Sequence, residues 1–202
     1  RQENRVGVSY EDISPNMINA LIATEDARYY SHTGIDFKSL LRAIIKMGKA
    51  GGGSTITQQL AKQLWSPRAN NIFERALQKP IEWVIATQLE RLYSKEEILT
   101  MYLNQFDFLY NAVGVKSAAQ VYFSTTPDQL RIEEAAMLVG MCKNPSMYNP
   151  RRRPERALNR RNTVLDQMCK YGYLSTLECD SLQALPIDIK YQSVDHKQGL
   201  AP

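Results

Sequence analysis

Histidine is almost missing from this 202-residue chain: there are two, His32 and His196, far apart in sequence. A histidine-rich metal site is excluded by that count, and no metal-ligand set is expected. The three cysteines, Cys142, Cys169 and Cys179, are odd in number and lack C-x-x-C spacing, which argues against a disulfide framework and against zinc. Cys142 closes the apolar run AAMLVGMC and reads as a small buried hydrophobe. No apolar run is longer than about eight residues, against the ~20 that cross a bilayer. No secretory signal pattern opens the chain. A strong excess of one charge is also missing. The net charge of +4 is too mild for a generic nucleic-acid binder, so no nucleic acid is expected, although an anionic partner fits. Internal repeats and low-complexity tracts are absent from the sequence.

What is present is ordinary for a globular chain: 44% hydrophobic and 23% charged residues. That composition excludes a disordered tail, a collagen-like rod and a disulfide mini-protein. The length suits one domain, or two small ones sharing a core. The ends, RQENRV and KQGLAP, do not resemble natural termini and predict a domain belonging to a longer chain.

Helical periodicity dominates. Ser14-Pro15 is a helix start, with Ser as N-cap and Pro in the first turn. Ile18, Leu21, Ile22 and Glu25 follow at helical spacing. Residues 37–47 predict a second helix, with Leu40, Leu41, Ile44 and Ile45 on one face and Gly51-Gly52-Gly53 ending it. Thr55 to Gln58 fits a capping box that starts a third helix, to about Trp65. Ser66 to Ile72 reads as a polar loop, and 80–92 as a helix with Pro80 in its first turn or at a kink. Further helices are expected at 95–104, 114–122, 132–142 and 154–171. The segment from Pro186 alternates and suits a short strand or the start of a linker. The expectation is one mostly α domain over residues 1–185, followed by a linker over 186–202.

Several residues carry chemistry, each with a plainer alternative. Glu25 puts a carboxylate on an apolar helix face, where desolvation raises its pKa and suits it to general acid–base work. The alternative is a helix-end glutamate held by Arg28. The stretch GKAGGGSTITQQLAK lets backbone approach a ligand closely, and the helix start after it offers N–H groups to an anion. Lys62 lies one turn beyond Gln58 and Gln59. The alternative is a glycine-rich linker before a capped helix. A nucleotide P-loop is rejected, because no Lys precedes Ser54-Thr55 and a helix, not a strand, comes before. Arg75, Lys79 and Glu82 form a cation–carboxylate face if the helix runs through Pro80, either a phosphate site or a surface salt-bridge ladder. Residues 143–161 hold seven cations against the single anion Glu155. Such a run is either a solvated face or a support for anionic headgroups. His32 reads as a hydrogen-bonded structural residue.

Together these motifs resemble the peptidoglycan glycosyltransferase domain, glycosyltransferase family 51, as found in bifunctional class A penicillin-binding proteins. The matching segments are Glu25 to Gly34 (EDARYYSHTG), Gly52 to Lys62 (GGSTITQQLAK) and Lys79-Pro80-Ile81-Glu82 with Ala86 and Leu89-Glu90. They continue through Ile98-Leu99, Tyr102-Leu103-Asn104, Gly114, Ala118-Ala119 and Tyr122-Phe123. The last is Glu134-Ala135-Ala136, Lys143, Pro145-Ser146, Tyr148-Asn149-Pro150 and Arg160-Arg161. The resemblance covers about residues 8–175. Three positions depart from the family: Gln78 stands where an Arg is usual, Glu74 where a basic residue is usual, and Leu109 where a Gly is usual. Arg75 is then expected to slide into the basic position. The apolar loop Phe106 to Tyr110 is expected to touch the membrane.

The resemblance implies a mostly α, lysozyme-like two-lobed helical fold with a smaller membrane-facing jaw and a groove for two lipid-linked sugars. It implies that Glu25 deprotonates the acceptor sugar of lipid II. That sugar attacks the lipid-linked growing glycan with inversion and release of undecaprenyl pyrophosphate. Lys62, Lys79 and Arg75 would neutralise the pyrophosphate, and Glu82 would orient them. Ser54, Thr55, Gln58 and Gln59 would line the sugar-phosphate site. No cofactor is required on this reading, which leaves room for a divalent cation. The implied partners are lipid II, the growing glycan, the bacterial membrane surface at the outer face of the cytoplasmic membrane, and a transpeptidase domain in the full-length chain. The implied inhibitors are phosphoglycolipids such as moenomycin. The competing readings are a lysozyme-like lytic transglycosylase or muramidase, and a non-enzymatic helical module for anionic lipid. The first needs no cluster of leaving-group cations, and the second gives no reason for Glu25.

Overall fold

The computed structural model describes residues 7–45, 53–65 and 71–192. Nine α-helices lie among them: α1 (Pro15–Glu25), α2 (Phe37–Ile45), α3 (Ile56–Trp65), α4 (Ile72–Leu92), α5 (Lys95–Gln105), α6 (Val115–Phe123), α7 (Ile132–Lys143), α8 (Pro154–Lys170) and α9 (Thr176–Gln183). Single 3-10 turns stand at Tyr10–Asp12, Tyr29–Ser31 and Pro127–Gln129. No strand occurs among the described residues beyond an isolated bridge between Asp107 and Val113. The alternating segment after Pro186 is therefore not a strand as far as Gln192. Its amides at Lys190 and Gln192 donate to the carbonyls of Tyr122 and Val121 on α6.

The chain divides into two compact units, Arg1–Ala20 with Phe106–Pro202, and Leu21–Gln105. In the first, α7 is buried from Glu134 to Cys142, as a run apolar on all sides must be. It packs on α8, with α9 against α8. Gly140 leaves room for α8: a Cβ at that position would lie 3.0 Å from Arg160 Cγ, and that side chain would have to give. In the second unit α3 packs on α4 and α5. Its core is built from Ile56, Leu60, Ala61, Ala86, Leu89, Ile98, Leu99, Tyr102 and Leu103, with Leu21 and Ile22 from the end of α1. Gly34 has φ of +105°, and a Cβ there would meet the Ala86 backbone at 3.0 Å. Only glycine brings this turn so close to α4.

Three expectations are corrected. First, α4 starts at Ile72 instead of residue 80 and continues through Pro80. The Asn71 side chain caps it by accepting from the Glu74 amide at 2.8 Å, so a segment read as the end of a polar loop is a helix start. Residues 66–70 of that predicted loop, Gly51-Gly52 and positions 46–47 lie outside the described residues. Second, the loop 106–110 is partly buried: Phe106, Leu109 and Tyr110 are half-buried and Asp107 is exposed. Phe108 is buried against Phe106, and Tyr110 packs edge-on to Tyr191. Leu109, Tyr110 and Asn111 all have positive φ, the conformation for which glycine is preferred. Third, the basic run is not a uniformly solvated face. Arg151 stacks on the Tyr191 ring at 3.7 Å, and Arg161 is fully buried.

Candidate active site

The second unit gathers most of the chemistry predicted from sequence. Glu25 is the last residue of α1 and is half-buried. Its Oε2 accepts from Gln59 Nε2 at 3.2 Å. The plainer reading of Glu25, held by Arg28, does not match the geometry: Arg28 lies 3.6 Å from Asp36.

Asp26 explains how α3 comes to start beside Glu25. Its buried Oδ2 accepts from the Ile56 amide at 3.1 Å and pairs with His32 Nε2 at 2.8 Å. His32 Nδ1 accepts from the Gly34 amide at 3.1 Å. Neutral His32 protonated on Nε2 satisfies both bonds. His32 is thus the hydrogen-bonded structural residue expected. Thr57 on α3 donates to Glu90 at 2.7 Å, and Lys95 joins Glu90 at 2.8 Å and the His32 carbonyl at 2.7 Å.

The start of α3 is more closed than its sequence suggests. The Thr55 amide donates to Gln58 Oε1 at 2.8 Å, and the Gln58 amide to Thr55 Oγ1 at 3.1 Å. This is the predicted capping box. The Thr55 hydroxyl donates to the Gly34 carbonyl at 2.7 Å. The amides of Thr55, Ile56 and Gln58 are therefore already taken. Asp26 supplies a negative charge at the positive end of the helix, and the expected offer of these amides to a bound anion is not made. Thr55 and Gln58 are buried and hold the loop.

The cation face is assembled on α4. Glu82 is 1% exposed, and its two oxygens are held by Arg75 at 2.6 Å and Lys79 at 3.1 Å. A carboxylate so buried is tolerable only when paired, and here it fixes two cations whose own side chains are about one third exposed. Lys79 Nζ also reaches Ser54 Oγ at 3.5 Å. Arg75 thus sits two helical turns before Glu82 on the same face, whereas Glu74 faces its capping partner Asn71. Lys62, on α3, is exposed. Desolvation of its ammonium and the charges of Arg75 and Lys79 hold its pKa below the ordinary lysine value, with Glu82 opposing.

Sequence reasoning missed Asp26, Glu90, Lys95 and Tyr102 as parts of this site. Tyr102, from α5, is fully buried and donates to Gln59 Oε1 at 3.1 Å. The contacts that place them cross long stretches of sequence: 30 residues from Asp26 to Ile56, 33 from Thr57 to Glu90, 63 from His32 to Lys95 and 43 from Gln59 to Tyr102. For Asp26, Glu90 and Tyr102 only their positions inside motif-like segments hinted at a role. Among the described residues no group of three or more His, Cys, Asp or Glu side chains is placed to hold a metal ion.

Glu25 with its Gln59 partner and the cations held on the buried Glu82 belong to the same unit. The transglycosylase family model matches residues 1–169, and the chain belongs to that family. It is 40% identical to penicillin-binding protein 2a of Streptococcus pneumoniae, over 95% of this chain and 25% of the relative. It is 41% identical to penicillin-binding protein 1A of Aquifex aeolicus, over 95% of this chain and 26% of the relative. The crystal structure of penicillin-binding protein 1A from Haemophilus influenzae superposes with a TM-score of 0.56 at 25% identity, covering 93% of this chain and 18% of that one. The chain therefore spans about a quarter of the length of these curated relatives.

Proposed function

We propose that this chain is a peptidoglycan glycosyltransferase that polymerises lipid II into linear β-1,4 glycan. One observation carries the reading: α3 joins the base to the leaving-group cations. Gln59 bonds Glu25, and Lys62, three residues on, is ~4.5 Å further along the same helix axis. There it feels the charges of Arg75, Lys79 and Glu82. A proton acceptor and a bank of cations are thus held on one rigid element, as a displacement with an anionic leaving group requires.

In this reading Glu25 takes the proton from the acceptor 4-hydroxyl. The freed oxygen attacks the anomeric carbon of the donor, its bond to the pyrophosphate breaks, and the configuration inverts. The undecaprenyl pyrophosphate departs with the negative charge, which Lys62, Arg75 and Lys79 neutralise. Glu82 keeps Arg75 and Lys79 aimed. Ser54 and Gln59 face substrate, while Thr55 and Gln58 shape the loop that carries them. No step of this reading is assigned to a metal. A lytic enzyme cutting the same polymer would have no use for the α4 cations.

The wider setting belongs to the same proposal. The partners are lipid II, the lipid-linked glycan and the outer face of the bacterial cytoplasmic membrane. The full-length protein carries a transpeptidase domain, a reading supported by relatives about four times longer that are named penicillin-binding proteins. Phosphoglycolipids of the moenomycin type would occupy the donor site.

The test is Glu25→Gln with fluorescent lipid II, products resolved on a gel. General-base removal costs ~10²–10⁴-fold, so the variant is expected to make no visible glycan while keeping the wild-type circular dichroism spectrum. Polymer formed at more than about a tenth of the wild-type rate would sink the assignment.

A further inference from the structure

We propose that Tyr102 is a positioning residue for Glu25, acting through the amide of Gln59. The inference rests on the reading of Glu25 as the base and goes beyond it by naming what aims that base. Three groups stand in series. The Tyr102 hydroxyl donates to Gln59 Oε1 at 3.1 Å, and Gln59 Nε2 donates to Glu25 Oε2 at 3.2 Å. They come from α5, α3 and the end of α1, and all three residues lie in the second unit.

The two ends of a carboxamide are chemical opposites. Rotated by half a turn, Gln59 would press its carbonyl oxygen against the carboxylate and lose the only attraction that end can offer to an anion. A donor fixed at the other end selects the productive orientation. Tyr102 supplies it from a rigid place. Its side chain is wholly buried, on a helix that packs against α3. Phenylalanine would fill that core position equally well by volume. The hydroxyl is a polar group taken into the interior, which is costly unless bonded, and the Gln59 oxygen is where it bonds.

The consequence is geometric. Locking the amide nitrogen toward Oε2 fixes the plane of the carboxylate, leaving substrate binding no reorientation to drive. Tyr102 touches neither substrate nor reacting atoms on this reading, and its effect on Glu25 passes through Gln59.

The experiment compares wild type with Tyr102→Phe, Gln59→Met and the double variant. Two measurements are made: the side-chain amide resonances of Gln59 by 15N NMR, assigned by their absence in Gln59→Met, and the separate values of kcat and KM for lipid II. Tyr102→Phe is expected to shift the Gln59 amide resonances and to lower kcat roughly three- to tenfold, the worth of one hydrogen bond, with KM nearly unchanged. Gln59→Met should lower kcat at least as far, and adding Tyr102→Phe to it should lower it no further. Unmoved Gln59 resonances with wild-type kcat in a folded Tyr102→Phe protein, or clean additivity in the double variant, would overturn the proposal and leave Tyr102 a packing residue. Should Tyr102→Phe not fold, Gln59→Met still decides: wild-type kcat there overturns the relay. The resonances are read on the resting protein. If Glu25→Gln retained activity, the base assignment would fail while the Gln59 orientation was still measured.

Discussion

At the scale of single residues, the informative position is Arg75. The sequence sets Glu74 where a cation is expected, and the helix resolves the difference. Asn71 caps α4 and takes Glu74 into the cap, which turns the next residue toward Glu82. No flexible loop has to absorb a one-residue slide, because both residues belong to one helix. Arg75→Ala should therefore cost about 2–4 kcal/mol in transition-state stabilisation, roughly 30- to 1,000-fold in lipid II turnover. A second readout comes from Lys62. Its pKa is depressed by desolvation first and by Arg75 next, so removing Arg75 should raise it toward the ordinary lysine value. The sign for stability follows from the same shift. A lysine whose pKa is lowered on folding carries a cost while charged. That cost is present below the folded pKa and fades as pH rises through the window up to the unfolded value. Arg75→Ala should shrink that window. A 13C NMR titration of the Lys62 Cε resonance measures it; an unchanged midpoint together with wild-type turnover would make Arg75 a plain surface cation.

At the scale of elements, capping chemistry was the most legible signal. Ser14-Pro15 and the Thr55–Gln58 box mark the starts of α1 and α3 within a residue, because these contacts are local and depend on side chains three residues apart. The start of α4 was hidden by its polar first turn. α9 was missed although Ser175 and Glu178 form a capping box, since TLECDSLQ offers too few apolar residues to show a period. The relay and the Asp26 clamp were illegible for another reason: Gln59 and Tyr102 are 43 residues apart, and Asp26 and Ile56 are 30. No local pattern encodes such meetings. Arg161 belongs with them. Read as one cation of a basic run, it is buried and donates to the carbonyls of Leu182, Gln183, Leu185 and Pro186. The last turn of a helix leaves its carbonyls unsatisfied, and this guanidinium serves those of α9 and the chain after it. Its pKa is pulled down by that burial, with Glu133 opposing. Arg161→Met should fill similar space but remove the guanidinium from all four carbonyls, leaving Leu182 its bond from the Leu185 amide at 3.2 Å and Gln183 its bond from Asn162 Nδ2 at 3.5 Å, at a cost of about 2–4 kcal/mol. Chemical denaturation measures the cost, and amide hydrogen exchange should show residues 176–186 opening first. A loss below about 0.5 kcal/mol, the range of an ordinary surface change, would show the carbonyls are satisfied without it.

At the scale of the whole molecule, the question is how a chain whose described residues include no helix long and apolar enough to cross a membrane would meet the lipid-linked substrate proposed for it. Two kinds of surface compete for the role. On α2, Phe37, Leu41, Ile44 and Ile45 recur at helical spacing and are all exposed; on α4, Phe73, Leu77 and Val84 do the same. Both stripes belong to the second unit, which also carries Glu25 and the cation face. The basic run lies in the first unit, and part of it is spent internally. Arg161 serves α9, Arg151 stacks on tyrosines, and Arg160 reaches the Gly140 carbonyl at 3.4 Å. Arg152, Arg153 and Arg156 remain exposed. Apolar insertion is worth about 1.5–3 kcal/mol per fully buried large side chain and is insensitive to salt. A cation near anionic lipid is worth ~1 kcal/mol and is screened within a Debye length. The apolar stripes should therefore dominate, and the two contributions separate by lipid and by salt. On zwitterionic vesicles in high salt, the double change Leu41→Ser and Ile45→Ser should lower binding by at least tenfold. On the same vesicles the triple change of Arg152, Arg153 and Arg156 to Gln should do nothing. On anionic vesicles at low salt the triple change should weaken binding, and added salt should erase the difference. Both substituted sets are at the surface, so the folded spectrum should be preserved. Vesicle sedimentation decides the order: wild-type binding by the α2 variant on zwitterionic lipid would remove the apolar stripes from the membrane contact and leave the arginines to supply it.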